Sequence, residues 1–300
     1  MPAERTVVEV EGRRLSLSHL DKPLYPAGGF TKAAVLQHYG QVGPVMLPHL
    51  EGRPASFVRC PGGVDGERFW AKRVPPGAPG WVQGLEVELR TGPARQVVVA
   101  DLATLIWAAN LDTVEFHVPQ WRDSPALHDR LIVDLDPGEG TDLLHCCAAA
   151  LAVREVLAAD GLDAWAKTSG SKGLHLTVPL IPAPADEVNA YAKRLAQRLK
   201  AEYPQLIVSR MGRELRRDRV LLDWSQNNSA KTTVAAYSLR ALAEPTVSTP
   251  VSWAEVADCR DPAELSFTAD RLPDRLARLG DLHASLLDPS AARRLPGAAA

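Results

Sequence analysis

The chain opens on an alternation of apolar and polar positions, Thr6-Val7-Val8-Glu9-Val10, resumes it over residues 14–17, and sets Glu11-Gly12 between the two. This pattern predicts a β-hairpin turning at Glu11-Gly12. Thr31 is the expected N-cap of a helix through Ala33, Val35, Leu36 and Tyr39, with Pro44 beyond its end. Short β-like runs at 55–59, 85–89 and 96–99 alternate with Gly/Pro-rich loops such as 74–80. Asp101 can cap a helix through Trp107, and strands are expected at 114–118 and 130–134. Asp142 caps a further helix that Gly161 ends. Strands follow at 164–168 and, after a glycine-containing turn, at 174–180. Asp186 opens a helix whose Val188, Tyr191, Ala192, Leu195 and Leu199 share one face. Strands at 220–223 and 234–237, a connector at 243–250 and helical segments to about 287 complete the pattern. Strands and helices mix without regular βαβ alternation, so the expected class is α+β.

Composition narrows the possibilities. Three hundred residues, 46% hydrophobic and 23% charged, describe a globular chain able to bury a large core. With 34 Lys+Arg against 36 Asp+Glu the net charge is −2, which excludes a polycation but allows a local basic patch. Arginine supplies most of the basic residues, which suits forked contacts to phosphate. Cys60, Cys146, Cys147 and Cys259 form no C-x-x-C pair, so neither a zinc ribbon nor a disulfide framework is expected. No apolar leader opens the chain, and its most apolar stretch, 143–159, carries Arg154 and Glu155 and is too short to span a bilayer. The expectation is a soluble, cytoplasmic protein without a membrane partner.

Candidate chemistry concentrates at strand ends. The apolar run 131–133 passes into Asp134-Leu135-Asp136-Pro137-Gly138, and on a strand Asp134 and Asp136 face the same side. Carboxylates that close repel unless a proton or cation lies between them, and hard divalent ions take oxygen ligands. The same residues could also be two solvated aspartates at a strand end. A second apolar strand, 220–222, ends in Asp223. Three such carboxylates on neighbouring strands could hold two metals in the arrangement used for in-line phosphoryl displacement. Between these strands lies Ser169-Gly170-Ser171-Lys172-Gly173, either a plain hairpin turn or a loop whose N–H groups face an anion. Arg210, Arg213, Arg216, Arg217 and Arg219 form a solvated charged loop or a phosphate-contacting one. Phe69-Trp70 before Lys72 and Arg73 is either core or a stacking platform for bases.

The ordered set of Leu20-Asp21-Lys22-Pro23-Leu24-Tyr25-Pro26, Glu115-Phe116-His117-Val118-Pro119-Gln120-Trp121, Asp134-Leu135-Asp136-Pro137-Gly138, Ser169-Gly170-Ser171-Lys172-Gly173-Leu174-His175 and Leu222-Asp223-Trp224-Ser225-Gln226-Asn227 resembles the archaeo-eukaryotic primase superfamily. Its nearest likeness is to the polymerase domain of bacterial end-joining DNA ligase D and stand-alone relatives. The resemblance implies a primase-type α+β core, with mixed and antiparallel sheets flanking a cleft and surrounded by helices. It implies one domain over 1–290: a DNA-contacting part to about 100, a catalytic core over about 101–245 and C-terminal helices over about 246–290. A flexible tail, 291–300, follows. It also implies that Asp134, Asp136 and Asp223 are catalytic and carry two divalent ions, Mn²⁺ or Mg²⁺. His117, Ser169, Lys172, His175, Gln226 and Arg240 would hold an incoming NTP or dNTP. Lys22 and Lys32 would grip a DNA 5′-phosphate, Phe69-Trp70 would stack near the template where the family has two phenylalanines, and Arg216 would lie in a loop at the primer terminus. The turn at 90–95 lies near a loop implicated in bridging DNA ends.

The implied activity is template-directed nucleotide addition at gaps and double-strand breaks, with Ku and an ATP-dependent DNA ligase as partners. Gap filling in excision repair, priming and non-catalytic bridging of DNA ends are the alternatives. A haloacid-dehalogenase-type phosphatase also begins with Asp-x-Asp, but it needs Thr or Val where Gly138 stands. No Lys-x-Asp-Gly ligase signature occurs in the sequence.

Overall fold

The computed structural model describes residues 5–89 and 92–297. The chain weaves two compact units. The first comprises 1–118, 234–247 and 268–278, and the second 119–233, 248–267 and 279–300.

In the first unit the opening hairpin pairs Arg5–Val10 with Arg13–Ser18. Glu11 and Gly12 both take positive φ, as a two-residue turn matching the twist of its strands requires. Thr31 caps its helix by accepting a hydrogen bond from Ala34 N. The helix does not stop before Pro44. It runs from Lys32 to Leu50 through both Pro44 and Pro48. Val35, Tyr39, Val42, Met46 and Leu50 continue one buried stripe past the prolines, and that packing outweighs the lost backbone hydrogen bonds. A four-stranded sheet runs in the order Thr233–Val234, Thr113–Val118, Ser56–Arg59, Phe69–Ala71. Its core face carries Phe57 and Phe116, which pack edge-on to one another. The strand expected over 234–237 is shorter, because Tyr237 takes a positive φ.

In the second unit six strands run in the order Ile207–Val208, Val220–Leu222, Leu127–Pro137, Leu174–Pro184, Trp165–Thr168, Pro250–Val251. Among the described residues these strands pair antiparallel, except that the first two run parallel. Leu131, Val133 and Leu135 turn inward and pack with the helices Leu143–Ala159 and Ala185–Glu202. Strand alternation therefore puts Ile132, Asp134 and Asp136 on the opposite face. Asp142 caps its helix in a reciprocal box with His145, and Gly161, at φ 74°, follows its end. Arg293 bridges Leu180 and Leu295 is buried, so ordered structure continues past residue 291, where a tail is expected. Among the described residues no helix is long and apolar enough to cross a membrane. All four cysteines are buried free thiols.

Candidate active site

The acidic centre of the second unit is built by strand register. The strand Leu127–Pro137 pairs with Val220–Leu222 through Leu135, Asp136 and Pro137. Beyond that pairing Asp223 N donates to Asp134 O at 2.9 Å, which brings the third aspartate beside the first two. Asn227 then takes the place of a strand neighbour: its amide accepts from Ile132 N at 2.9 Å and donates to Ile132 O at 2.8 Å. Gly173 lies so close to this strand that a side chain there would run into the Leu135 carbonyl, and one at Gly138 would meet that of Arg216.

The three carboxylates differ in environment. Burial first, then the charge of Asp134 with a contribution from Asp223, pushes the Asp136 carboxyl up to about 6, against the pull of His175 and Arg216. Asp134 Oδ1 lies 3.3 Å from His175 Nε2. Asp223 accepts from Ser225 N at 3.0 Å and Ser225 Oγ at 2.5 Å, and Lys231 Nζ stands 3.1 Å from its second oxygen. Among the described residues no three His, Cys, Asp or Glu side chains close into a metal-ligating group. The donor set still fits a hard divalent cation: all three groups are carboxylates, Asp134 and Asp223 raise the proton affinity of Asp136, and an ammonium already rests on Asp223.

Around this centre, Lys172 is exposed at the tip of the glycine turn. The turn's N–H groups at Ser171 and Gly173 point back at Ser169 Oγ, so these two close the turn rather than face outward. Gln226 is anchored, its amide donating to Thr232 O and Thr233 Oγ1. Arg216 is half-buried, its charge acts on Asp136, and its Nε is enclosed without a hydrogen-bond partner.

The first unit holds the opposite charge. Val58 pairs with both Trp70 and Glu115, and Ser56 pairs with His117, so Trp70, Glu115 and His117 share the sheet face away from the core. His117 Nε2 lies 2.6 Å from Glu115 Oε2, while Arg240 Nε stands 3.2 Å from Oε1, which also accepts from Ala241 N. Burial opposes a charge on Glu115, but the His117 hydrogen bond and the Arg240 charge prevail and hold its carboxyl at about 2. The Trp70 ring packs against His117 with centroids 4.6 Å apart, and Arg59 lies over Phe69; both aromatic rings are exposed. Lys22 and Lys32 converge on Asp112 at 2.8 and 3.3 Å. Burial draws the pKa of the Lys32 ammonium down, with Asp112 opposing. In the turn at 90–95, residues 90 and 91 lie outside the described residues.

The anticipated residues thus fall into two sets, each assembled within its own unit. Sequence reasoning missed three that organise them: Glu115, Lys167 and Lys231. Glu115 carried a readable signal, since it precedes His117 by one strand alternation. Lys167 and Lys231 carried none beyond being rare lysines.

A half-buried carboxylate pair at a strand end of the second unit, and lysines, arginines and exposed aromatic rings in the first, are the residue types suited to phosphoryl transfer on polyanions that carry bases. The comparisons give the family. Residues 31–283 match the LigD primase-polymerase domain, and the chain belongs to that family. It is 42% identical over 280 residues to the multifunctional non-homologous end joining protein LigD of Mycobacterium bovis, covering 90% of this chain and 36% of the relative. The corresponding Bacillus subtilis protein, bifunctional LigD, is 30% identical over 269 residues, covering 89% of this chain and 43% of that one. The chain therefore spans well under half of these relatives. Among solved structures, the polymerase domain from Mycobacterium tuberculosis ligase D in complex with DNA matches with a TM-score of 0.88 at 42% identity, over 92% of this chain and 99% of that one. The fold is the α+β fold of that domain, and the chain is a primase-polymerase, a nucleotidyltransferase.

Proposed function

We propose that this chain adds NTPs or dNTPs to primer 3′-ends at gaps and double-strand breaks during bacterial DNA end joining, using two divalent ions, Mn²⁺ or Mg²⁺. The observation that carries this reading is the Asp134–Asp136 pair on one strand face, with the Asp136 carboxyl pushed up to about 6 by burial and its acidic neighbours. Asp134, Asp136 and Asp223 are the residues that would hold the ions. When bound, the ions would supply charge stabilisation to the attacking and leaving oxygens of an in-line displacement at the α-phosphate. Ser169, Lys172, His175 and Gln226 in the second unit, and His117 and Arg240 in the first, are the positions assigned to the incoming nucleotide. Exposed Lys172 offers a mobile point charge to phosphate, whereas Arg240 is oriented by Glu115 before any substrate arrives.

Lys22 and Lys32 are assigned to a 5′-phosphate, Phe69 and Trp70 to template bases, and Arg216 to the primer terminus. A phosphate arriving at the lysines would replace Asp112 as their counter-charge. Ku and an ATP-dependent ligase would then complete the joining in the bacterial cytoplasm.

Extension of a labelled primer across a short gap bearing a 5′-phosphate, with MnCl₂ and either NTPs or dNTPs, tests the reading. Wild-type extension that is lost in Asp134→Ala while gap binding persists is the expected result. Tight gap binding with no extension by the wild type would overturn it in favour of an end-bridging module.

A further inference from the structure

Three residues stand abreast in the sheet of the second unit. Asp134 pairs with His175 across one strand boundary, and His175 pairs with Lys167 across the next. Directly paired residues project from the same face, so the three side chains form a row. Lys167 Nζ lies 2.9 Å from His175 Nδ1, and His175 Nε2 lies 3.3 Å from Asp134 Oδ1. At the far end of the row Lys167 Nζ donates to Ser248 Oγ at 2.6 Å. That hydroxyl in turn donates to Thr168 O at 2.8 Å, which leaves its oxygen lone pairs to the lysine. Lys167 is 4% exposed and His175 6%. Lys167 is also separate from the glycine turn, whose exposed Lys172 is the lysine assigned to phosphate.

An ammonium has three donors and no acceptor. The imidazole nitrogen that faces it must therefore present a lone pair, and the ring's single proton belongs on Nε2, the nitrogen facing Asp134. We propose that Lys167 is a positioning residue that locks His175 in its Nε2–H tautomer, so that the ring N–H faces Asp134 Oδ1 across the 3.3 Å contact and biases its orientation. In the other tautomer Nε2 would present a lone pair to the carboxylate, and the contact would repel. Ser248 completes the device by fixing the ammonium from behind. Lys167 touches no substrate in this scheme; it acts through His175. Its bearing on catalysis rests on the reading that Asp134 holds a divalent ion, and outer partners that orient ligating groups commonly contribute about 10–100-fold in metal affinity or activity.

The test uses the full chain, free of metal, labelled with ¹⁵N at histidine. Two-bond ¹H–¹⁵N NMR is expected to show His175 of the wild type with a protonated Nε2 and a lone pair on Nδ1. Lys167→Met keeps the volume but removes the donor, and should turn that signature into a mixture of tautomers. Lys167→Gln, whose amide can still donate to Nδ1, should restore it. With Mn²⁺ alone, titrated by EPR, Lys167→Met should bind about tenfold more weakly and Lys167→Gln nearer to wild type. If Lys167→Met fails to fold, Ser248→Ala, which keeps the ammonium and removes its anchor, should shift the tautomer in the same direction. A wild-type His175 protonated on Nδ1 or on both nitrogens would overturn the proposal, as would a Lys167→Met protein with unchanged tautomer. Asp134→Ala separates the two levels. If it leaves Mn²⁺ affinity intact while Lys167→Met still shifts the ring, the metal reading fails and the tautomer assignment stands.

Discussion

The two units solve one electrostatic problem with opposite signs. The first presents basic side chains, the imidazole of His117 and the guanidinium of Arg240 among them, and organises these two around a single buried carboxylate, Glu115. The second presents carboxylates, Asp134, Asp136 and Asp223, and sets one buried lysine, Lys167, behind the histidine that meets them. In both, the organising residue contacts a histidine, but Glu115 also meets Arg240 directly, whereas Lys167 reaches Asp134 only through His175. The difference lies in the balance. Glu115 has enough partners to stay ionised far below the ordinary range, whereas at Asp136 burial, joined by the charges of Asp134 and Asp223, outweighs the pull of His175 and Arg216. The first site is complete as it stands; the second holds an excess of negative charge that a divalent ion would relieve.

The comparison breaks most directly at Glu115. Glu115→Ala removes the carboxylate beside Arg240 and the hydrogen-bond partner of His117, and removing one partner of a buried ion pair costs about 3–5 kcal/mol. Denaturant unfolding at pH 7 should show that loss. Glu115→Gln should recover part of it through its hydrogen bonds. A loss under 1 kcal/mol for Glu115→Ala would mean that the cations do not depend on this carboxylate.

The opposite signs should also appear in pH dependence. The Glu115 carboxyl is lowered from 4.5 to about 2, so its contribution is present above about 4.5 and is lost as pH falls toward 2. The Asp136 carboxyl is raised from 3.8 to about 6, so the folded state binds the extra proton between these values. Stability is therefore lost as pH rises through that window, by up to about 3 kcal/mol above it. Asp136→Asn should accordingly be more stable than wild type at pH 7 and lose that advantage by pH 4. Glu115→Gln should be less stable at pH 7 and lose its deficit below pH 4. Parallel unfolding curves from pH 3 to 8 check both, and a pH-independent Asp136→Asn difference would remove the claim of excess negative charge.

Much of the second site is legible in the sequence, because strand alternation and an apolar run place Asp134 and Asp136 on one face before any fold is known. Asp223 is legible for the same reason. Glu115 is legible only in part, since alternation sets it beside His117 but not beside the distant Arg240, and Lys167 and Lys231 are not legible, since their roles depend on which strand or loop each one faces. Lys167 matters only because its strand pairs with that of His175, and no local pattern encodes that register. The helix through Pro44 misleads for a related reason: local punctuation says stop, and a buried stripe extending to Leu50 overrides it. The glycine turn shows the limit of motif reading, since its N–H groups at Ser171 and Gly173 serve the turn itself.

A smaller test asks how firmly the acidic strand is fixed. Asn227 satisfies both backbone groups of the buried Ile132, two residues before Asp134. Asn227→Ala should cost about 1–3 kcal/mol in unfolding free energy, the range for buried polar groups left unsatisfied. Asn227→Asp, which keeps the acceptor but turns a buried carboxylate oxygen toward the Ile132 carbonyl, should cost at least as much at pH 7. Equal stability of all three proteins would mean that the strand end is held by its other neighbours alone.

The smallest effect is expected at Lys231, where the second site's excess charge is partly met already. Its ammonium is 3.1 Å from Asp223 Oδ2 and 2.6 Å from Ser225 Oγ, but its side chain is 37% exposed. Solvent-exposed ion pairs contribute about 0–1 kcal/mol, so removing this one should hardly move stability. Its effect should fall on metal binding instead. A divalent ion held by Asp223 competes with the ammonium for the same carboxylate, so Lys231→Met should bind Mn²⁺ about threefold more tightly at low ionic strength. Added salt should shrink that gain, because the competing charge is partly in solvent. Calorimetric Mn²⁺ titrations of both proteins at two salt concentrations measure it. Weaker binding by Lys231→Met would reverse the assignment: Lys231 would then be the counterpart of Lys167, a lysine that holds its aspartate in the ligating pose rather than one that competes for it.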